Sequence, residues 1–318
     1  MKQKNVFRSL SVFLALILFI SFLNLPTLKV NASDGIEEFV YRCYKVGLGR
    51  EPDDGGFAAW VNVLKTGNIT GAKVVHGFIF STEYLSMNKT EDEYIEDLYL
   101  MFLGRGSDPA GKAFWMSKAT DEGLSREQLF CGFANSDEFF DICLNYGITA
   151  GYYDTNFDED KLNSVNMFVA RLYDVCFNRL GDKGGQENWV KHLLYGEITG
   201  THCAHEFIFS QEYMDLGLTE DEYVKNLYIG IMGRPYDEEG YNNWVNALNN
   251  GMTREEVFGG FVNSPEFSNI CDYYGIVKGE YEPPKKADPD NTASGNNTAS
   301  GNNTASGNNT SSSNNTLW

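Results

Sequence analysis

One pattern occurs four times in this chain, and it limits the fold more than any other feature. Tyr44 precedes Arg50-x-x-Asp53-x-x-Gly56-x-x-x-Trp60, and Tyr99 precedes Arg105-x-x-Asp108-x-x-Gly111-x-x-x-Trp115. Tyr173 precedes Arg179-x-x-Asp182-x-x-Gly185-x-x-x-Trp189, and Tyr228 precedes Arg234-x-x-Asp237-x-x-Gly240-x-x-x-Trp244. The tryptophans lie 55, 74 and 55 residues apart, so the unit is a pair, duplicated at an offset of 129. Local echoes agree. Thr90-Glu91-Asp92-Glu93-Tyr94 returns as Thr219-Glu220-Asp221-Glu222-Tyr223, and Ile142-Cys143 returns as Ile270-Cys271.

Each repeat reads as three short helices. The first ends before Gly49, Gly104, Asn178 or Gly233, residue types that accept the left-handed conformation after a helix. The recurring Asp caps the second helix, and Pro109 after Asp108 is a favoured first helical residue. The third opens at Thr70, Ser125, Thr199 or Thr253. Ser125…Gln128, Thr253…Glu256, Thr90…Glu93 and Thr219…Glu222 have capping-box spacing. No segment alternates as a strand. The expected fold is all-α: two tandem helical bundles, each made of two three-helix repeats of about 55 residues. Repeat pair one spans 33–150, a linker 151–162, and repeat pair two 163–282.

The motif with its later Ser-x-Glu-Phe/Tyr (Glu83, Glu138, Glu212, Glu266) resembles the bacterial DUF4214 family, a domain family of unknown function. The resemblance covers about residues 36–276 in four copies. The third departs most, with Asn178 for Gly and Leu180-Gly181 after the arginine. Family membership implies a secreted or surface-associated protein and supplies no catalytic residues. The Arg-x-x-Asp turn is also similar to that of phycobilisome linker domains, although an antenna role does not suit a chain with a secretory leader.

The ends differ from the repeats. Lys2, Lys4 and Arg8 precede an apolar run, Leu10 to Leu23, and Val30-Asn31-Ala32 is a small-x-small cleavage site. Residues 1–32 are therefore expected to be a signal peptide, the alternative being a retained anchor. The run is short for a span, which takes about 20 residues. From 283 to 318 the composition is Asn, Thr, Ser, Gly and Ala, as in a disordered low-complexity tail with no hydrophobic anchor.

Charge narrows the partners. The chain carries 25 Lys+Arg and 44 Asp+Glu, a net −19. Loss of residues 1–32 leaves 21 positive side chains, a net −23. A protein so acidic lacks the basic face that nucleic acid or an anionic membrane requires.

The recurring arginines and glutamates are expected to pair and tie the turn to the start of a last short helix, partly buried. Four ligand sites are the sharper alternative. The tryptophans sit in an apolar helical pattern and read as core rather than sugar platforms. Non-recurring Tyr152, Tyr153, Tyr195 and Tyr236 are candidate surface aromatics. The six cysteines fit buried free thiols, with isolated bridges left open. His76 and His205 read as packed or surface histidines. Asp154-x-Asn156-x-Asp158-x-Asp160 has the alternating oxygen ligands of a calcium loop, but Glu159 and Val165 stand where glycine and the bidentate acid belong. No cofactor is expected unless calcium binds there. No nucleophile elbow, P-loop or zinc-protease motif occurs. The expectation is a secreted, non-catalytic binding or assembly module contacting an envelope glycan or surface protein. A structural spacer or self-assembling component is the alternative, and a hydrolase of extracellular polymer a more distant one.

Overall fold

A computed structural model describes residues 32–284. The expected leader over 1–31 and the tail from 285 lie outside the described residues.

All regular elements among the described residues are helical, and there are sixteen α-helices. Repeat one holds α1 (Ala32–Arg42), extended by a π-helical stretch Cys43–Leu48, then α2 (Asp54–Lys65), α3 (Gly71–Ile79) and α4 (Thr82–Leu85). Repeat two holds α5 (Glu91–Leu98), extended as a π-helix over Tyr99–Leu103, then α6 (Pro109–Thr120), α7 (Arg126–Ala134) and α8 (Asp137–Tyr146). Repeat three holds α9 (Glu159–Phe177), α10 (Lys183–Leu194), α11 (Gly200–Ile208) and α12 (Gln211–Met214). Repeat four holds α13 (Glu220–Gly230), α14 (Glu238–Asn249), α15 (Arg254–Val262) and α16 (Pro265–Tyr274).

The count per repeat is four, not three. Ser81, Ser136, Ser210 and Ser264 break the third helix and restart the chain. Their side chains accept the amides of Tyr84, Phe139, Tyr213 and Phe267 at 3.1–3.2 Å. One turn of helix shows no periodicity in sequence, so a short restart is invisible there. All four capping boxes form. Gly49, Gly104 and Asn178 terminate their helices with φ of +64°, +66° and +50°.

First helices form the centre of each pair. α1 packs on α8 and on the extension of α5, while α9 packs on α13 and α16. Arg42 donates to the terminal carbonyls of Met101 and Phe102 at 2.9 and 3.2 Å, quenching orphan acceptors at the end of the α5 extension. After each pair an extended strap returns over the third helix of its first repeat. Thr149 and Ala150 carbonyls accept from Gly71 and Ala72; Val277 and Lys278 carbonyls accept from Gly200 and Thr201. These strap carbonyls satisfy helix-start amides that have no partner within the helix.

The segment expected as a linker is built into the junction between pairs. Asn166, 1% exposed, accepts from the Tyr152 amide at 2.8 Å and donates to the Tyr152 and Leu162 carbonyls. Asn163 accepts from the Thr70 amide at 3.0 Å. Lys73–Asp160 and Lys183–Asp137 ion pairs, at 2.8 and 3.1 Å, flank them. One hydrophobic cluster runs through both pairs. All six cysteines are free thiols, five of them buried. Burial pushes Cys43, Cys131, Cys176 and Cys271 up to about 12, which keeps them protonated and unreactive.

Candidate binding surface

The recurring motif folds into one device, made four times. Asp53, Asp108, Asp182 and Asp237 cap the second helices, accepting the amides of Gly56, Gly111, Gly185 and Gly240 at 2.7–2.9 Å. Those amides hold Asp53, Asp108 and Asp237 below the usual carboxylate range. The motif tyrosine lays its hydroxyl over the same helix start. A Cβ at Gly56, Gly111, Gly185 or Gly240 would fall 2.1–2.4 Å from the hydroxyls of Tyr44, Tyr99, Tyr173 or Tyr228. Glycine is therefore required by close approach, since the backbone is ordinary helix. Trp115 and Trp244 hydrogen-bond to Tyr99 and Tyr228.

Each arginine stacks on its tyrosine, with guanidinium to ring centroid distances of 5.1–5.3 Å for Arg50, Arg105, Arg179 and Arg234. Each also grips a glutamate with two donors. Arg105 reaches Glu138 at 2.6 and 2.7 Å, Arg50 reaches Glu83 at 2.9 and 3.4 Å, and Arg179 reaches Glu212 at 3.4 and 3.3 Å. Arg234 holds Glu266 in the same way. The expected pairing is present, but its burial is not. The side chains of Arg105 and Glu138 are 42% and 44% exposed, because the fourth helix begins at the surface. The Arg105 and Arg234 guanidiniums lower Glu138 and Glu266.

Trp60, Trp115, Trp189 and Trp244 are half-buried rather than enclosed. One face packs on Phe78, Phe133, Phe207 or Phe261, with centroids 4.8–5.6 Å apart. At Trp60 the open side contributes to a cleft of about 210 Å³ shared with Tyr44, Arg50, Gly77, Ser81 and Glu83. A second cleft, of about 430 Å³, lies between repeats three and four, and Ile208, Phe209, Met214, Leu248, Met252 and Arg254 contribute to its walls.

The acidic stretch before α9 has internal partners. Asp154 accepts from Tyr195 at 2.7 Å, from Tyr152 at 3.2 Å and from Asn156 at 2.9 Å. Asp158 caps α9, and Asp160 pairs with Lys73. Among the described residues no three His, Cys, Asp or Glu converge as for a metal ion. Of the candidate surface aromatics, Tyr153 is buried beneath the strap, where it stacks on His76 at 5.4 Å. Tyr152 is half-buried in the junction. Tyr195 is exposed, and Tyr236 stacks on Tyr241 at 4.4 Å. The two clefts went unseen in sequence because their walls come from separate helices; exposed Met214 and Met252 were the available signal.

A family model described as Domain of unknown function (DUF4214) matches residues 27–88, 80–143 and 204–271, more than half of the chain. The chain belongs to this family. The DUF4214 matches leave out Arg179 to Trp189, although that motif copy has the same geometry. Its Arg179–Glu212 contacts are long, and Asn178 replaces glycine at the helix end. No curated protein matches the chain. Among the described residues no helix is long and apolar enough to cross a membrane.

Proposed function

We propose that this DUF4214 protein is a secreted, non-catalytic binding or assembly module of the cell surface or its surroundings. One observation carries the reading: in all four repeats the motif's charges are neutralised by one another. Arginine holds glutamate, aspartate holds amides, and tyrosine covers glycine. Groups so engaged are poor general acids, bases or nucleophiles, which have to be poised toward a substrate. The motif then supplies a scaffold, and recognition falls to the surface that the scaffold displays. Repeated units on one chain give avidity toward a repetitive ligand such as an envelope glycan or an arrayed surface protein. The apolar leader supports export.

Cosedimentation of the full chain with purified cell-wall sacculi and with insoluble polysaccharides, in calcium and in EDTA, tests this. Pelleting with one material is expected and would name the ligand class. Loss in EDTA would bring calcium at Asp154 into the mechanism. No pelleting with any material would remove the glycan reading.

A further inference from the structure

The fourth helices of repeats one and three end on a large apolar side chain facing solvent. Leu85 and Met214, 129 residues apart, are 51% and 50% exposed. Met214 forms one wall of the 430 Å³ cleft, with Met252 and Leu248 contributing other walls and Ile208 and Phe209 completing the apolar lining. The corresponding positions of the first pair are Leu85, Leu124, Ile79 and Phe80, so the apolar lining is kept after duplication. Methionine suits a surface that must fit an apolar partner without a rigid shape of its own.

The charges around the cleft have one sign to spare. Arg254 is the sole cation among the lining residues. Glu220 engages it at 3.0 Å, and its guanidinium stacks on Tyr223 at 4.8 Å. Glu255 is left without a cation partner. Arg126, Glu91, Tyr94 and Glu127 repeat this arrangement in the first pair, with Arg126–Glu91 at 2.9 Å. The cleft is therefore an apolar groove with an acidic rim on a chain of net −19.

We propose that this groove docks a cationic amphipathic helix of a partner protein, its apolar face between Met214 and Met252 and its lysines or arginines at Glu255, and that the first pair carries a second such groove at Leu85 and Leu124. The proposal rests on the binding reading above and names its partner class. Apolar anchors along one helix face, flanked by basic residues, complement such a groove in shape and in charge.

The probe is a labelled Lys/Leu peptide of about 18 residues, roughly five turns of amphipathic helix. It is titrated into the full chain by fluorescence anisotropy, beside a peptide of the same composition scrambled so that no apolar face forms. Two saturable sites are expected, weakened by salt, with the scrambled peptide bound about tenfold or more weakly. Met214→Asp and Leu85→Asp should each abolish one site. Both side chains are exposed, so the melting temperature should stay unchanged and a folding defect would be recognised.

Equal binding of the two peptides, or binding indifferent to both variants, would overturn the groove. Loss confined to Met214→Asp would keep the groove and overturn its duplication. Self-association of the chain alone that disappears in Met214→Asp would put a second copy in the groove and overturn the helix. Cosedimentation of the same variants keeps the readings apart: retained pelleting without peptide binding overturns the groove and leaves the module reading standing.

Discussion

At the residue scale, the motif is an answer to crowding at a helix start. Tyr99, Asp108 and the Gly111 amide share one small volume, and the absent Cβ makes room for the phenol. Gly111→Ala should lower stability by about 1–3 kcal/mol, the usual effect of overpacking. Tyr99→Phe removes the oxygen that the new methyl would meet at 2.1 Å. The double variant should therefore be more stable than additivity allows, as read from urea denaturation of all four proteins. Arg105 presents the other side of the argument. Its pair with Glu138 is half-exposed, so water screens it and Arg105→Met should cost only about 1 kcal/mol, part of that from lost stacking on Tyr99. The melting temperature should fall while pelleting and peptide binding persist. An unchanged melting temperature would refute a structural role for the motif arginine.

At the element scale, the sixteen short helices depend on their ends. The caps Asp53, Asp108 and Asp237, and the capping-box glutamates Glu93 and Glu222, are all lowered by backbone amides. A carboxylate lowered in the folded state contributes stability that is present above its unfolded pKa of about 4. That contribution is lost as pH falls through the folded value. His76 is lowered too, by burial among Phe80, Phe130 and Tyr153, so protonation opposes the packing of α3 on the strap. Its share begins to decline below about pH 6.5. Thermal denaturation should therefore give a plateau above pH 7, a shallow fall from about 6.5 and a steep one below about 4. His76→Phe should remove the shallow part alone.

At the scale of the whole molecule, the two pairs are locked through side-chain amides on backbone. Asn166 uses both its oxygen and its nitrogen, and it is buried. Asn166→Asp keeps the acceptor but turns a carboxylate toward the Tyr152 and Leu162 carbonyls. A loss of roughly 3 kcal/mol is expected. Calorimetry should show one unfolding transition for the parent chain. In the variant, two transitions should appear as the pairs uncouple. A single, merely shifted transition would mean that the continuous hydrophobic cluster, not the junction amides, couples them. The acidic stretch contributes here as well, since Asp158 caps α9 and Asp160 reaches across to Lys73.

Much of this architecture was legible in the chain itself. Helix ends, caps and the fourfold unit follow from local chemistry: a glycine that accepts positive φ, a serine three residues before a glutamine, an aspartate before a proline. Such signals act over a few bonds, so sequence alone determined them, and with them the all-α class and the Arg–Glu pairing. What acts over long chain separations was decided only by the tertiary structure. The exposure of the Arg–Glu pairs, the half-burial of the tryptophans, the strap over α3 and the junction at Asn166 depend on which helices meet. Tyr153 illustrates the division. Its neighbours in sequence are those of a surface loop, and only the bonds of Asn135 to its backbone, 18 residues away, hold it beneath the strap. The clefts belong to the same class, because a groove is a property of separate elements placed side by side.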